Sequence, residues 1–403
     1  MKKINFIFAL ATLHLGMGFT SCGTDESGNN TNNTTSGNEV IISSNITANT
    51  TWSKDNTYIL AGRIFVVDGV TLTIEAGTVI KGQAGSGANA TALIVARGGK
   101  LMAEGTATSP IIFTSVADEI SSGEIASPNL EPNFDGLWGG LIILGKAQAS
   151  LKGDVTEANI EGIPPTELNG FYGGTDDADN SGVIKYVSVR HGGSNIGEGN
   201  EINGITFGGV GSGTVVDHIE VVANQDDGVE WFGGSVNVTN LVVWNVGDDA
   251  VDTDQAWSGS LNNFAIVCGD ATDHALEIDG PEGSTNAGHT VKNGWIKGNA
   301  ASELGNWRSN AQGAFENLYF FHFDAGMADG RGDFDLDDAS APNYGTSLTF
   351  ANLEITTDST DLSKIFKDGT DANATKVSAP TSAGADLTEF TNWTWTAISG
   401  NLQ

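Results

Sequence analysis

Three short segments gather side-chain oxygens at similar intervals along this chain: Asn224-Gln225-Asp226-Asp227-Gly228, Gly247-Asp248-Asp249-Ala250 and Asp273-His274-Ala275. Carboxylates collected in this way can perform acid–base work if one holds a proton and its neighbour does not. They can also offer hard oxygen to calcium, which takes about six to eight such donors in irregular geometry. Asp226, Asp248, Asp249 and His274 are therefore the candidates for proton transfer. After these segments, acids alternate with mostly apolar residues in Val229-Glu230-Trp231-Phe232, Val251-Asp252-Thr253-Asp254 and Leu276-Glu277-Ile278-Asp279, and again in Phe334-Asp335-Leu336-Asp337. Glu230, Asp252, Asp254, Glu277 and Asp279, with Trp257, are candidates for holding a ligand; Asp227, Asp249, Asp252, Asp254, Asp335 and Asp337 are candidates for holding calcium. No segment has EF-hand or nonapeptide calcium-turn spacing, so the metal is an expectation from donor chemistry alone.

The alternation requires strands, because successive side chains of a strand point to opposite faces. A recurring phrase says how the strands are arranged. Asn240-Leu241-Val242-Val243, Asn263-Phe264-Ala265-Ile266, Asn317-Leu318-Tyr319-Phe320 and Asn352-Leu353-Glu354-Ile355 repeat one another, with Asp217-His218-Ile219-Glu220-Val221 as a looser copy. Ile219 to Leu241 is 22 residues, Leu241 to Phe264 is 23 and Trp295 to Leu318 is 23, while the gaps of 31 (Phe264 to Trp295) and 35 (Leu318 to Leu353) read as the same period plus a loop. Short strands at such a period make a solenoid in which each coil buries its apolar face against its neighbours. The expectation is an all-β chain, a right-handed parallel β-helix of ~22–25-residue coils with covered ends.

Glycine, 54 of 403 residues, supplies sharp corners between short strands. The asparagine that opens each phrase can stack on its equivalents, amide to amide. Coiling also turns the alternating acids into columns: Glu230, Asp252, Glu277 and Asp335 in one, Asp254, Asp279 and Asp337 in the other. Carboxylates about 4.8 Å apart on adjacent coils repel by roughly 3 kcal/mol at an effective dielectric near 20. Each column therefore calls for a cation, a proton or a basic ligand.

Lys2-Lys3, the apolar run Ile4 to Met17, and Phe19-Thr20-Ser21-Cys22 have the layout of a secretory signal, residues 1–21, too short to span a bilayer. The residues before Cys22 resemble a bacterial lipobox, which implies lipid on Cys22 and an anchor in the outer membrane. Gly23-Thr24-Asp25-Glu26 is similar to an export signal to the outer face. Residues 22–39, poor in anything to bury, read as a tether, and 40–403 as the β-helix domain. With Cys22 lipidated, Cys268 has no partner and reads as a buried apolar side chain. The formal charge is −32, and loss of Lys2 and Lys3 with the signal leaves 16 basic residues against 50 acidic, or −34. Such a field excludes nucleic acid as a partner.

The coil phrases, with Thr71-Leu72-Thr73-Ile74-Glu75-Ala76-Gly77-Thr78-Val79-Ile80-Lys81-Gly82 and Ala92-Leu93-Ile94-Val95-Ala96-Arg97-Gly98-Gly99, resemble the pectate-lyase-like β-helix superfamily. From about Val40 onward the chain also looks like a group of outer-membrane lipoproteins of the Bacteroidota. Within the superfamily, Asn224-Gln225-Asp226, Asp248-Asp249 and His274 are similar in order to the active-site segments of polygalacturonases. The departures are Gln225 in place of threonine, His274 without flanking glycines, and Trp295-Ile296-Lys297 without the expected arginine. A lyase would need an arginine base beside calcium, for which Arg190, Arg308 and Arg331 are the candidates.

Trp231 and Trp295 fall at inward positions, whereas Trp257, in a turn leaving an acidic strand, is the best placed for stacking on a sugar. Thr51 to Leu60 and Leu387 to Ile398 are expected to cover the two ends, and 115–180, rich in loops, to form an excursion walling the acidic columns. The functional expectation is a cell-surface lipoprotein that binds a glycan or other ligand, with calcium, at the acidic face. The alternatives are a polysaccharide lyase or glycoside hydrolase, and an accessory lipoprotein of an outer-membrane transporter with a barrel partner.

Overall fold

The computed structural model describes residues 38–196, 201–323 and 333–403. Cys22, the signal segment and Arg331 lie outside the described residues. Two long parallel sheets, one of fifteen strands and one of nine, run side by side along the chain, and helix is confined to a few short turns. This is a parallel β-helix.

From Gly182 onward each coil gives one long strand to the larger sheet, as in Val215–Val222, Asn237–Trp244 and Ser260–Val267, and one short strand to the smaller sheet, as in Val229–Phe232 and Val251–Asp254. The long strands are bent. Each contains one residue in the left-handed region: Tyr186 (φ 49°), His218 (56°), Asn240 (59°), Asn263 (60°), Asn293 (59°), Asn317 (59°) and Asn352 (53°). The pairing register skips that residue, so Asp217 pairs with Thr239 and Ile219 with Leu241. Earlier coils turn the same corner with separate strands, and Lys100–Glu104 and Ile111–Ser115 both pair with the single strand Gly182–Arg190.

Asparagine suits the corner because its short amide tolerates the left-handed region and bonds locally. The expected stacking is present. Asn263 donates to Asn240 (2.7 Å), Asn317 to Asn293 (3.0 Å) and Asn352 to Asn317 (2.9 Å). The line steps sideways once, where Asn293 donates to Asn262 instead (2.8 Å). Asn293 thus marks a coil that the repeating phrase conceals, because Gly294 follows it where other coils carry a large apolar residue. A Cβ on Gly294 would lie 2.4 Å from the Phe264 ring, which fills the space. Trp295, expected inward, pairs with Ala265 and lies on the outer face.

The interior is a row of stacked side chains. Phe207, Trp231, Thr253, Ile278, Trp307 and Leu336 are successive register partners in the smaller sheet, all buried. Trp257 belongs to this interior. It is 1 % exposed, stacked on Trp231 (4.8 Å), with its indole N–H on the Val236 carbonyl (3.0 Å). The expectation that Trp257 meets a ligand is therefore wrong: the turn that carries it folds inward, where its area is buried.

Two additions cover the outer faces. The stretch 115–180 is not all excursion, since Leu141–Leu144 is a strand of the smaller sheet between Ala92–Val95 and Ile205–Gly208. Beyond it, Leu151, Ile160, Ile163 and Tyr172 pack on Ile142, Leu144 and Phe232, a second apolar layer outside the smaller sheet. The end of the chain covers the larger sheet: Phe390, Trp393 and Leu402 pack on Val242, Ala265 and Trp295. Leu387 to Ile398 thus crosses the middle coils rather than covering the last one, where Ile365 and Phe366 join the core. At the other end the edge strand is Asn38–Ile42, and Thr51 to Leu60 lies within the first coils.

Candidate functional site

The loops between the two sheets stack one above another, and the acids come with them. Asp252 and Glu277 are register partners, as are Glu230 and Asp252. The columns differ from expectation in one respect. The strand Gly305–Arg308 intervenes, so that Glu277 faces Asn306, Asn306 faces Asp335, and Asp279 faces Arg308. Asp335 is thus separated from Glu277 by a neutral amide.

Arg308 answers much of the demand for positive charge. Its guanidinium grips Asp279 with two bonds (3.0 and 2.9 Å) and reaches Glu277 at 2.7 Å. Asp337 is occupied as well. Its carboxylate accepts the backbone N–H groups of Ser309 (2.8 Å), Ala339 (3.1 Å) and Ser340 (2.6 Å), so it fixes a turn and is not placed as a metal ligand.

The acids around Asp252 face protein rather than water. Asp227, Glu230 and Asp252 are 7 %, 6 % and 7 % exposed, and burial, followed by mutual repulsion, drives all three well above the usual carboxylate range. Burial likewise lifts Glu277 to about 8 and Asp254 to about 7, the latter with repulsion from Asp279. Burial and crowding thus disfavour the ionised form along the columns, and Arg308 supplies a cation at Glu277 and Asp279.

Asp226 and Asp248 form the accessible rim of the same corner, the first half-buried and the second exposed. Reduced hydration, with Glu161 and Asp248 adding repulsion, lifts Asp226 to about 7; Asp248 rises to about 6 for the same first cause, with Asp249 adding repulsion. One oxygen from each of Asp226, Asp227 and Asp248 lies within 4.8 Å of the others. His274, one coil further on, is held rather than free. Its Nδ1 donates to Asp249 (2.8 Å) and its Nε2 lies 3.4 Å from Glu303. Burial alone would lower this imidazole, but Asp249 and Glu303 raise it to about 11, so at neutral pH it is a cation neutralising Asp249 and not a base.

The candidate lyase bases fare similarly. Arg190 is fully buried on the opposite sheet beside Glu220, and Arg308 is bound to two carboxylates.

One participant carried no sequence signal. Phe134, 49 % exposed, sits between Pro132, whose carbonyl accepts from the Asn245 side chain, and Gly136, which packs on Gln225. It therefore stands beside the residues that lead into Asp226 and Asp248.

Comparison with curated proteins and with solved structures returned no match. A family model, the pectate-lyase like beta helix domain, matches residues 44–398. The chain belongs to the family of pectate-lyase-like β-helix domains.

Proposed function

We propose that this chain is a surface lipoprotein that binds polysaccharide along the corner carrying Asp226 and Asp248. The reading rests on the grouped carboxylates of Asp226 and Asp248 and on an exposed ring, Phe134, whose flanking residues Pro132 and Gly136 meet Asn245 and Gln225 of the same coils. Carboxylates accept hydroxyl protons of a sugar, and the ring covers an apolar sugar face. The net charge of −32 favours neutral glycans, with uronates bound only where cations bridge the two. Affinity electrophoresis through gels containing neutral glycans tests the reading. Retardation should be lost in Phe134→Ala and in the Asp226→Asn, Asp248→Asn pair. Unretarded wild type in every gel, with and without calcium, sinks it.

Hydrolysis is the second reading, supported by the stacking of Asp226, Asp248–Asp249 and His274 on successive coils. Two facts place it second. The 4.8 Å grouping is tighter than the roughly 6.5–9.5 Å an inverting carboxylate pair needs around its water. His274 is also tied to Asp249. New reducing ends appearing with neutral glycans, and absent in Asp248→Asn, would favour it. The anchor is tested separately: Cys22→Ala should shift the protein from membranes to the soluble fraction, and retention there would refute lipidation at Cys22.

A further inference from the structure

Arg63 differs from the other described arginines. Arg97 pairs with Glu157 (2.6 Å), Arg190 with Glu220 (3.5 Å), and Arg308 with Glu277 and Asp279 (2.7 and 2.9 Å). In a chain of 50 acidic and 18 basic residues each cation should find such a partner. Among the described residues no carboxylate pairs with Arg63. A guanidinium has five N–H bonds to give. Here Nη2 donates to the Gly87 carbonyl (2.7 Å), and Nε is enclosed without an acceptor. A half-buried cation with one neutral acceptor is costly until a counter-charge reaches it.

The strand that carries it shows where that counter-charge would come from. Arg63–Val66 is the edge of the smaller sheet, and alternation puts Arg63 on the face of Phe65, while Ile64 and Val66 enter the core. The outer apolar layer leaves a cleft of about 340 Å³ over this face. Phe65, Ile163 and Pro164 supply its apolar lining, and Arg63, Asn45 and Thr166 its polar part. The acceptors within reach are already engaged. Asn45 Oδ1 accepts the Phe65 N–H (3.2 Å). Glu167, the one carboxylate of the lining, accepts the Asn169 N–H (3.0 Å) and side-chain amide (2.7 Å) at its Oε1, which fixes the turn Leu168–Gly170. Positive charge beside an apolar wall is what the cleft leaves to a ligand.

We propose that this cleft binds a small organic acid, its carboxylate on Arg63 and its apolar body on Phe65, Ile163 and Pro164. Arginine holds a carboxylate by two parallel bonds, which fixes the orientation of the bound acid. The volume lies at the small end of ligand pockets, about 300–1,000 Å³, and so suits a single small molecule. The acidic surface as a whole works against anions, so recognition rests on this local cation. The site does not depend on glycan binding at Asp226 and Asp248.

The test is calorimetric titration of the full chain with 3-phenylpropionate, hexanoate and lactate, each against its neutral amide, and with inorganic phosphate. At least one of the acids should saturate one site per chain, with its amide bound about tenfold more weakly or worse. Arg63→Gln should weaken that acid by the same factor and leave its amide unchanged, whereas Arg97→Gln, outside the cleft, should bind as wild type does. If Arg63→Gln does not fold, Thr166→Trp is read instead, since a large ring at this exposed lining position should close the cleft and abolish binding. Saturation by none of the acids overturns the proposal, as does equal binding of acid and amide or undiminished binding in the cleft variant. Phosphate bound more tightly than every acid would overturn the carboxylate assignment.

Discussion

Arg190 Nη2 lies 3.5 Å from Glu220 Oε2, and neither side chain is exposed to solvent. Ser188 links them, donating to Glu220 (2.7 Å) and accepting from Arg190 Nε (2.8 Å), and the other Glu220 oxygen takes the N–H and hydroxyl of Thr396 (2.9 and 2.8 Å). Removing one partner leaves the other charge buried and alone. Arg190→Met should cost about 3–5 kcal/mol in chemical denaturation, and Arg190→Met with Glu220→Met should recover most of it. Equal losses in the single and double variants would mean that the pair is not coupled.

The asparagine corner separates into two contributions. Asn263 sits at φ 60° and also donates to Asn240 and accepts the Asp386 N–H (2.6 Å). Asn263→Gly keeps the backbone freedom and loses the bonds, while Asn263→Ala loses both. The alanine variant should be less stable than the glycine variant by about 1 kcal/mol, measured by urea midpoint. The reverse order would refute strain at this corner.

Arg308 should matter through charge. Arg308→Gln leaves Glu277 and Asp279 facing each other without their shared cation. Because its side chain is 38 % exposed, screening limits the loss to about 1–2 kcal/mol. The difference from wild type should shrink in molar salt, and a difference indifferent to salt would assign the residue a packing role.

His289 makes stability depend on pH. Its ring is buried against Trp257 and Phe315, and burial pushes it down to about 4, below the ordinary value near 6.5. The unfolded chain therefore binds this proton first as pH falls. The contribution is intact above about 6.5 and is lost toward pH 4, up to about 3 kcal/mol. Urea midpoints between pH 7 and 4.5 should fall less steeply in His289→Phe than in wild type, and parallel slopes would contradict the assignment.

The coil period was legible because the asparagine corner and its apolar followers recur, and the corner's left-handed backbone explains why asparagine is the residue that recurs. The acid stacking of Glu230, Asp252 and Glu277 followed directly from that period. The short strand Gly305–Arg308 of the coil between Trp295 and Leu318 was not legible, because Gly-Asn-Trp-Arg carries no acid to mark its alternation, and its omission moved Asp335 one coil too close to Glu277. Nor could a pattern of strands show that Trp257 turns inward. Sequence periodicity describes neighbours along the coil, and the contact of Thr396 with Glu220 spans 176 residues with no period behind it.

That long-range contact alters how the molecule comes apart. A row of coils held only by adjacent coils can unzip from whichever end loosens first. Here Phe390, Trp393 and Thr396 are fastened to the central coils, so those coils are held by more than their immediate neighbours and cannot loosen without also freeing this segment.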